Sequence, residues 1–365
     1  MNKIKIVQIV PPILASGPIN VVESLIRNID RTKYEPILIS LSKASGPREC
    51  SAKFKDLGIE IYQYNFSKKE LLLNQRKIAK EIERTIADPN AIYHMHCYFP
   101  TVIGAHIATR KKITTVHNIV EDDYISLYGN ILGKYMCVSY KRALRKYERV
   151  VVLSDYMKNQ YSKLDLSKIL TIYNGVRCDV TDKKTVFNNG IKHFIYPASF
   201  NKRKNQEFII RAIKTSERNG FQINFAGDGM NYERCKKLSA GDNRINFLGR
   251  IKDMKETLEK SDFFVSSSRS EGLPLGVLEG LVAGLPCFLS DIPPHREILK
   301  KIGLNEDLWL FDINNPNDFI EKLYRIMDIK ECVHNIREIA IKYFSDHAMT
   351  LNYQAVYKYL ADNKY

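Results

Sequence analysis

The sequence predicts an α/β fold made of two doubly wound parallel sheets, and three observations carry that prediction. Short apolar runs that read as buried strands alternate with longer segments of helical spacing. The alternation occurs in two similar series on either side of the polar stretch 179–190. With 365 residues, 44% of them hydrophobic, the chain is long enough to give each series a core of its own.

In chain order, the first series places strands at 4–10, 36–41, 59–64, 91–94, 113–117, 150–153 and 170–173. The second places them at 193–197, 222–226, 245–248, 263–266, 286–290 and 308–311. Between them lie helical patterns, among them 19–29, 207–213 and one that starts near Pro274. A last pattern, 349–360, puts Tyr353, Val356, Tyr357 and Leu360 on one stripe. Segments 42–55 and 118–134 read as loops. In open parallel sheets ligands collect outside the carboxyl ends of the strands, so the loops that follow strands are where chemistry is sought.

Charge and cysteine usage narrow the class. The formal net charge is +15, and residues up to 190 hold 30 Lys+Arg against 18 Asp+Glu, so that half carries +12 and the remainder +3. The basic residues cluster with apolar neighbours at 68–84 and 134–149, a pattern that suits an anionic membrane surface, a polyanion or a solvated helix face. Nucleic acid is disfavoured because the sequence has no zinc finger, RNP-like strand or heptad with a basic region. The seven cysteines, Cys50, Cys97, Cys137, Cys178, Cys235, Cys287 and Cys332, stand singly. They form no C-x-x-C pair, which argues for a reducing cytoplasm and against a disulfide framework or thiolate zinc site. The amino-terminal apolar stretch breaks at Pro11-Pro12 without a cleavage signal, and no run reaches the ~18 apolar residues of a membrane span. A soluble or peripheral protein is the expectation.

Several strand-end loops hold candidate chemistry. Gly17-Pro18 gives a tight turn and a helix N-terminus suited to phosphate, or serves only the turn. Neither it nor Gly227-Asp228-Gly229 completes a dinucleotide fingerprint, which disfavours a nicotinamide-dependent oxidoreductase. His94 and His96 fall on one face of a strand, yet no further ligand cluster accompanies them. His117 also ends a strand, as a candidate site residue or a satisfied core histidine. Asp122-Asp123 reads as an exposed acidic turn rather than a metal-holding pair. In the loop 199–205, Lys202, Arg203 and Lys204 suit a diphosphate whose charge they neutralise in place of a metal ion, or form a solvated basic loop. The strongest candidate is 271–279. Gly272, Leu273, Pro274, Leu275 and Gly276 lead from a strand into a helix whose first amides are free. Glu279 sits a turn further on, and a buried carboxylate costs several kcal/mol unless it is paired, so a ligand with adjacent hydroxyls would satisfy it.

These motifs together resemble glycosyltransferase family 4, retaining enzymes with two facing Rossmann-like domains, the GT-B fold. The resemblance runs over nearly the whole chain. It takes in Gly17-Pro18, His94-Met95-His96, Thr115-Val116-His117, Lys204-Asn205-Gln206, Gly249-Arg250, Ser268 to Pro274 with Glu279 after it, and Tyr353 to Tyr357. It implies an amino-terminal acceptor domain, 1–182, a nucleotide-sugar domain, 190–342, and a terminal helix, 343–365, that packs back on the first. Glu271, His117 and Lys204 would be the catalytic residues. Gly17, Arg203, Lys204, Gly227, Arg250, Ile251, Glu271, Gly272, Leu273, Pro274, Leu275 and Glu279 would bind the donor. Ser199 stands where many relatives have a diphosphate-binding arginine, and Arg203 is the candidate to supply that charge. Gly17-Pro18 stands where relatives often have two glycines.

The expected reaction is sugar transfer from a nucleotide diphosphate sugar, UDP favoured, to a hydroxyl of a glycan or lipid-linked acceptor in O-antigen or capsule synthesis. No cofactor and no metal are required. The expected place is the cytoplasm, peripheral on the inner face of the membrane, with an anionic lipid surface as partner. Two rivals remain: a sugar-nucleotide 2-epimerase of the same fold, and a non-catalytic protein that binds membrane surfaces or polyanions.

Overall fold

The computed structural model describes residues 3–161, 165–178, 190–329 and 335–363. Cys332 and most of the polar stretch 179–190 lie outside them. The chain divides into two compact units, Met1–Gly175 with Asp346–Tyr365, and Val176–Ser345.

The first unit is a seven-stranded sheet of β1 (Ile4–Val10), β2 (Tyr34–Ser40), β3 (Glu60–Gln63), β4 (Ile92–His96), β5 (Lys112–Val116), β6 (Arg149–Val152) and β7 (Ile169–Thr171). The strand order is β3-β2-β1-β4-β5-β6-β7, and every pairing is parallel. Strands covered on both faces must be apolar throughout, which is why β-branched runs mark them. β1 departs from this rule at a single buried polar residue, Gln8. The helix Asp346–Asp362 belongs to this unit: Met349, Tyr353, Val356, Tyr357 and Leu360 share a core with Ile6, Val21, Leu25, Ile92 and Ile113. Each fully buried aliphatic side chain of such a stripe contributes ~1.5–3 kcal/mol.

Segment 118–134 is not a loop. Val120–Leu144 is helical on both sides of Gly129, whose φ of +74° breaks it. The two arms fold back on each other. A Cβ at Gly133 would lie 2.6 Å from the Tyr124 carbonyl oxygen, so only glycine permits the approach. Lys141 pairs with Glu121, and Tyr124 meets Tyr140 edge to face. Asp122 and Asp123 therefore lie on a helical backbone rather than in a turn. Glycines at the bend and at the crossing, together with apolar residues that face outward, hid this hairpin from a periodicity reading.

The second unit is a six-stranded parallel sheet of β8 (Lys192–Pro197), β9 (Phe221–Ala226), β10 (Ile245–Gly249), β11 (Phe263–Ser266), β12 (Cys287–Ser290) and β13 (Leu310–Phe311). Its order is β10-β9-β8-β11-β12-β13. The expected strand at 308–311 shrinks to two residues. Asn305 caps the amide of Asp307, and Glu306 and Asp307 favour the first turn, which draws Leu308 and Trp309 into a short helix. Both sheets reverse their strand order next to the first strand of the series, at β1/β4 and at β8/β11.

Candidate active site

In the second unit the candidates gather at the carboxyl ends of β8 and β11. After β8 the chain runs through the basic loop into the helix Gln206–Lys214. That loop is fastened to the segment after β11: Tyr196 OH donates to the Lys204 carbonyl at 2.5 Å, Ser267 Oγ to the Asn205 carbonyl at 2.9 Å, and the Arg269 amide to the Arg203 carbonyl at 2.8 Å. The fastening brings two cations onto one carboxylate. Lys204 Nζ donates to Glu271 Oε1 at 2.5 Å and Arg203 Nη1 to Glu271 Oε2 at 2.7 Å. Glu271 is 7% exposed. Burial alone would raise its pKa, but Lys204 and Arg203 outweigh that and hold it at about 2. The sequence reading assigned Arg203 to a diphosphate. In this structure its guanidinium donates to Glu271 and to the Ser270 carbonyl.

Pro274, in extended conformation, is the N-cap of the helix Leu275–Val282, so the proline lies just before the first turn. The first intrahelical bonds come from the Val277 and Leu278 amides, both to the Pro274 carbonyl. The amides of Leu275 and Gly276 thus have no intrahelical acceptor. Glu279 lies in the same helix. Among the described residues its carboxyl has no hydrogen-bond or ion-pair partner, and burial pushes its pKa up to about 7. The pKa values of the two glutamates, eight positions apart, are shifted in opposite directions.

Gly227 has a backbone reason of its own. At φ +142° a Cβ there would stand 2.1 Å from the Ala198 carbonyl, so it lets the loop after β9 close on the loop after β8. Arg250 and Ile251 follow β10, whose register shifts between Phe247 and Gly249; Arg250 is exposed.

In the first unit, Gly17 and Pro18 are the first residues of the helix Gly17–Asn28. His117 directly follows β5 and, itself half-buried, joins a chain of buried polar side chains that the sequence reading missed. His117 Nε2 lies 3.1 Å from His96 Nδ1, and His96 Nε2 lies 2.8 Å from Gln8 Oε1. Gln8 Nε2 donates to Tyr357 OH at 3.1 Å, and Tyr357 OH lies 2.7 Å from His94 Nδ1. His94 Nε2 then meets Thr115 Oγ1 at 2.8 Å, which meets Tyr353 OH at 2.9 Å. All four ring nitrogens of His94 and His96 are thereby taken by protein partners. Burial lowers the pKa of His117 to about 3, and burial holds His94 and His96 well below the ordinary range, so all three rings are neutral. One signal in the sequence pointed here: a lone glutamine inside the run Ile4-Lys-Ile-Val-Gln-Ile-Val10.

Comparison with known proteins agrees with this architecture. Residues 15–180 match Glycosyltransferase Family 4, and residues 179–343 match Glycosyl transferases group 1. The chain is 27% identical over 300 residues to an uncharacterized glycosyltransferase of Methanocaldococcus jannaschii, across 80% of this chain and 81% of that protein. It is 27% identical over 266 residues to the O-antigen biosynthesis glycosyltransferase WclY of Escherichia coli, across 68% and 72%. A solved glycosyltransferase from Rickettsia africae is similar with TM-score 0.77 and 21% identity, across 100% of both chains. Anabaena HepE, in complex with UDP and glucose, is similar with TM-score 0.77 and 12% identity, across 99% of this chain and 100% of that one.

Two Rossmann-like units with parallel sheets and these matches define a glycosyltransferase of the GT-B fold. Its residues 15–180 carry the Glycosyltransferase Family 4 match and residues 179–343 the Glycosyl transferases group 1 match, so the two models together span nearly the whole chain.

Proposed function

We propose that this enzyme moves a sugar from a UDP-sugar to a hydroxyl of a glycan or lipid-linked oligosaccharide, with retention of anomeric configuration, in the synthesis of a surface polysaccharide such as O-antigen or capsule. One observation carries the reading: two cations on one buried carboxylate, followed in the chain by a helix N-terminus and a carboxylate with no partner among the described residues. A diphosphate arriving there takes over part of the Lys204 and Arg203 charge and receives the amides of Leu275 and Gly276. Glu279 accepts hydrogen bonds from both ribose hydroxyls, which relieves the cost of its burial. Glu271, with Gly272 and Leu273, meets the sugar, and Arg250 and Ile251 line the base. Gly227 shapes the loop beside the diphosphate, Gly17 is a further donor-binding residue of this proposal and His117 a further catalytic one.

In the chemical step the bond from the anomeric carbon to the phosphate oxygen breaks. A bond to the acceptor oxygen forms on the same face, and the acceptor proton passes to the departing phosphate. Lys204 and Arg203 stabilise the charge that develops, so no metal ion is required. The names of the relatives support the context, since WclY is an O-antigen biosynthesis enzyme and HepE was solved with UDP and glucose. A thermal-shift panel of nucleotides and nucleotide sugars tests it first, because a true donor raises the Tm by linkage. Product NMR with donor and acceptor then gives the anomer. Conversion of the sugar nucleotide to its epimer as the main product, without acceptor, would overturn transfer.

A second observation supports work at an anionic membrane surface. The bend of the helical hairpin exposes Leu127, Tyr128, Ile131, Leu132, Tyr135 and Val138, with Ile131 91% exposed. Exposed Lys134 and Arg142 lie on the same arm as the last four, and exposed Arg145 and Lys146 follow it directly. Apolar side chains that enter the headgroup region and cations that meet anionic lipid are the two halves of an interfacial anchor. Among the described residues no helix is long and apolar enough to cross a membrane. Co-sedimentation with vesicles containing phosphatidylglycerol is expected to weaken as salt rises; absence of binding at low salt would remove this partner.

A further inference from the structure

We infer that Gln8 and His96 are positioning residues that set the tautomer of His117, leaving its Nδ1 as a bare hydrogen-bond acceptor for a substrate hydroxyl. This deepens the reading of His117 as a catalytic residue of the proposed transfer, and rests on it.

The argument is one of donors and acceptors. Gln8 donates its amide N–H to Tyr357 OH, so the other end of the amide, the carbonyl oxygen, faces His96 Nε2 at 2.8 Å. An amide oxygen only accepts, hence His96 Nε2 carries a hydrogen. His96 is 0% exposed, and its two ring nitrogens meet only Gln8 and His117, with no carboxylate to stabilise an imidazolium. As a neutral ring it has one N–H, so its Nδ1 accepts. The group 3.1 Å from that nitrogen is His117 Nε2, which must therefore donate. A neutral His117 that donates through Nε2 has an unprotonated Nδ1, for which no partner exists among the described residues. The same logic runs the other way. Tyr357 OH receives from Gln8 and gives its hydrogen to His94 Nδ1, His94 Nε2–H gives to Thr115 Oγ1, and Thr115 gives to Tyr353 OH. One amide orders the protons of six other side chains, and two of those side chains belong to the helix Asp346–Asp362.

Register makes the arrangement possible. β1 and β4 pair Gln8 with His94, and β4 and β5 pair His96 with Thr115, so all of these side chains rise from neighbouring positions at one end of three adjacent strands. A donating Nδ1–H at His117 would prefer a carbonyl or phosphate oxygen. A bare Nδ1 selects a hydroxyl, the group a sugar presents.

The test uses the full-length protein labelled with ring-15N histidine and long-range 1H–15N correlation, with His117 signals identified by their loss in His117→Asn. The expected result is the Nε2–H tautomer at His117 in the free protein. Gln8→Met, which keeps length and loses both polar atoms, and Tyr357→Phe, which keeps volume and loses one hydroxyl, are each expected to bring in the Nδ1–H tautomer. They lower kcat about tenfold with donor KM little changed, the loss of one oriented hydrogen bond. An Nδ1–H tautomer in the wild type, or an unaltered His117 in both variants, overturns the inference. Wild-type turnover by His117→Asn instead overturns the reading of His117 as substrate-facing, and the two failures are distinct.

Discussion

The carboxyl ends of the two sheets are furnished in opposite ways. In the first unit Gln8, His94, His96, Thr115, His117, Tyr353 and Tyr357 form a neutral chain in which one hydrogen bond leads to the next. In the second unit the corresponding place holds formal charge: Glu271 gripped by Lys204 and Arg203, and Glu279 left unpaired. Taking an ion out of water costs several kcal/mol unless it is paired, whereas a satisfied neutral network pays no such penalty and still fixes orientation. The difference teaches that a shared sheet topology leaves polarity free to specialise. Neutral groups suit the reading of hydroxyls, and charge suits a diphosphate.

The contrast breaks most visibly at Lys204. Lys204→Ala is expected to lower kcat/KM with the donor ~100- to 1,000-fold, the scale of losing one oriented charge stabiliser. A rate within a few-fold of wild type would mean that the charged end is not where the leaving group sits. Glu279→Gln comes next, with nucleotide affinity expected to fall about tenfold by calorimetry. The same change should stabilise the free protein at pH 8. The folded pKa of about 7 lies above that of an unfolded glutamate, so the wild type loses stability as pH rises from ~4.3 toward 7. The variant has no such loss, and its advantage disappears by pH 4.

The exposed face of the first unit gives a third contrast. Leu127→Glu with Ile131→Glu should reduce partition onto anionic vesicles about tenfold while leaving stability within ~0.5 kcal/mol, as surface changes usually do. The last contrast is read at Glu271 under acid conditions. Its folded pKa of about 2 lies below the unfolded value, so its pairing supplies stability above pH ~4.3 that is lost as pH falls toward 2. Glu271→Gln should show a shallower acid limb in denaturant titrations across that range.

Much of this was legible in the sequence, for identifiable reasons. Strands such as Ile4–Val10 and Phe263–Ser266 announced themselves because burial on both faces demands apolar runs. Glu271, Lys204 and Glu279 stood out because strand ends in parallel sheets are where ligands bind. What stayed hidden depended on pairing across long separations. Arg203 and Glu271 are 68 positions apart and Gln8 and Tyr357 are 349 apart, and no local pattern reports such contacts. His94 and His96 raised the thought of a metal because spacing shows which side chains share a face, not what opposes them. The hairpin at Gly129 escaped because its apolar residues near the bend serve no internal core.

The helix Asp346–Asp362 has a consequence for the order of assembly. The second unit is one continuous stretch, while the first is interrupted by it and regains Tyr353 and Tyr357 only from beyond residue 345. Domains usually fold in the order in which they leave the ribosome. Here the earlier-made sheet has to wait for a helix that emerges after the later-made unit. A nascent chain paused before residue 346 therefore holds its charges in place but lacks Tyr357, the group that fixes which end of the Gln8 amide faces His96.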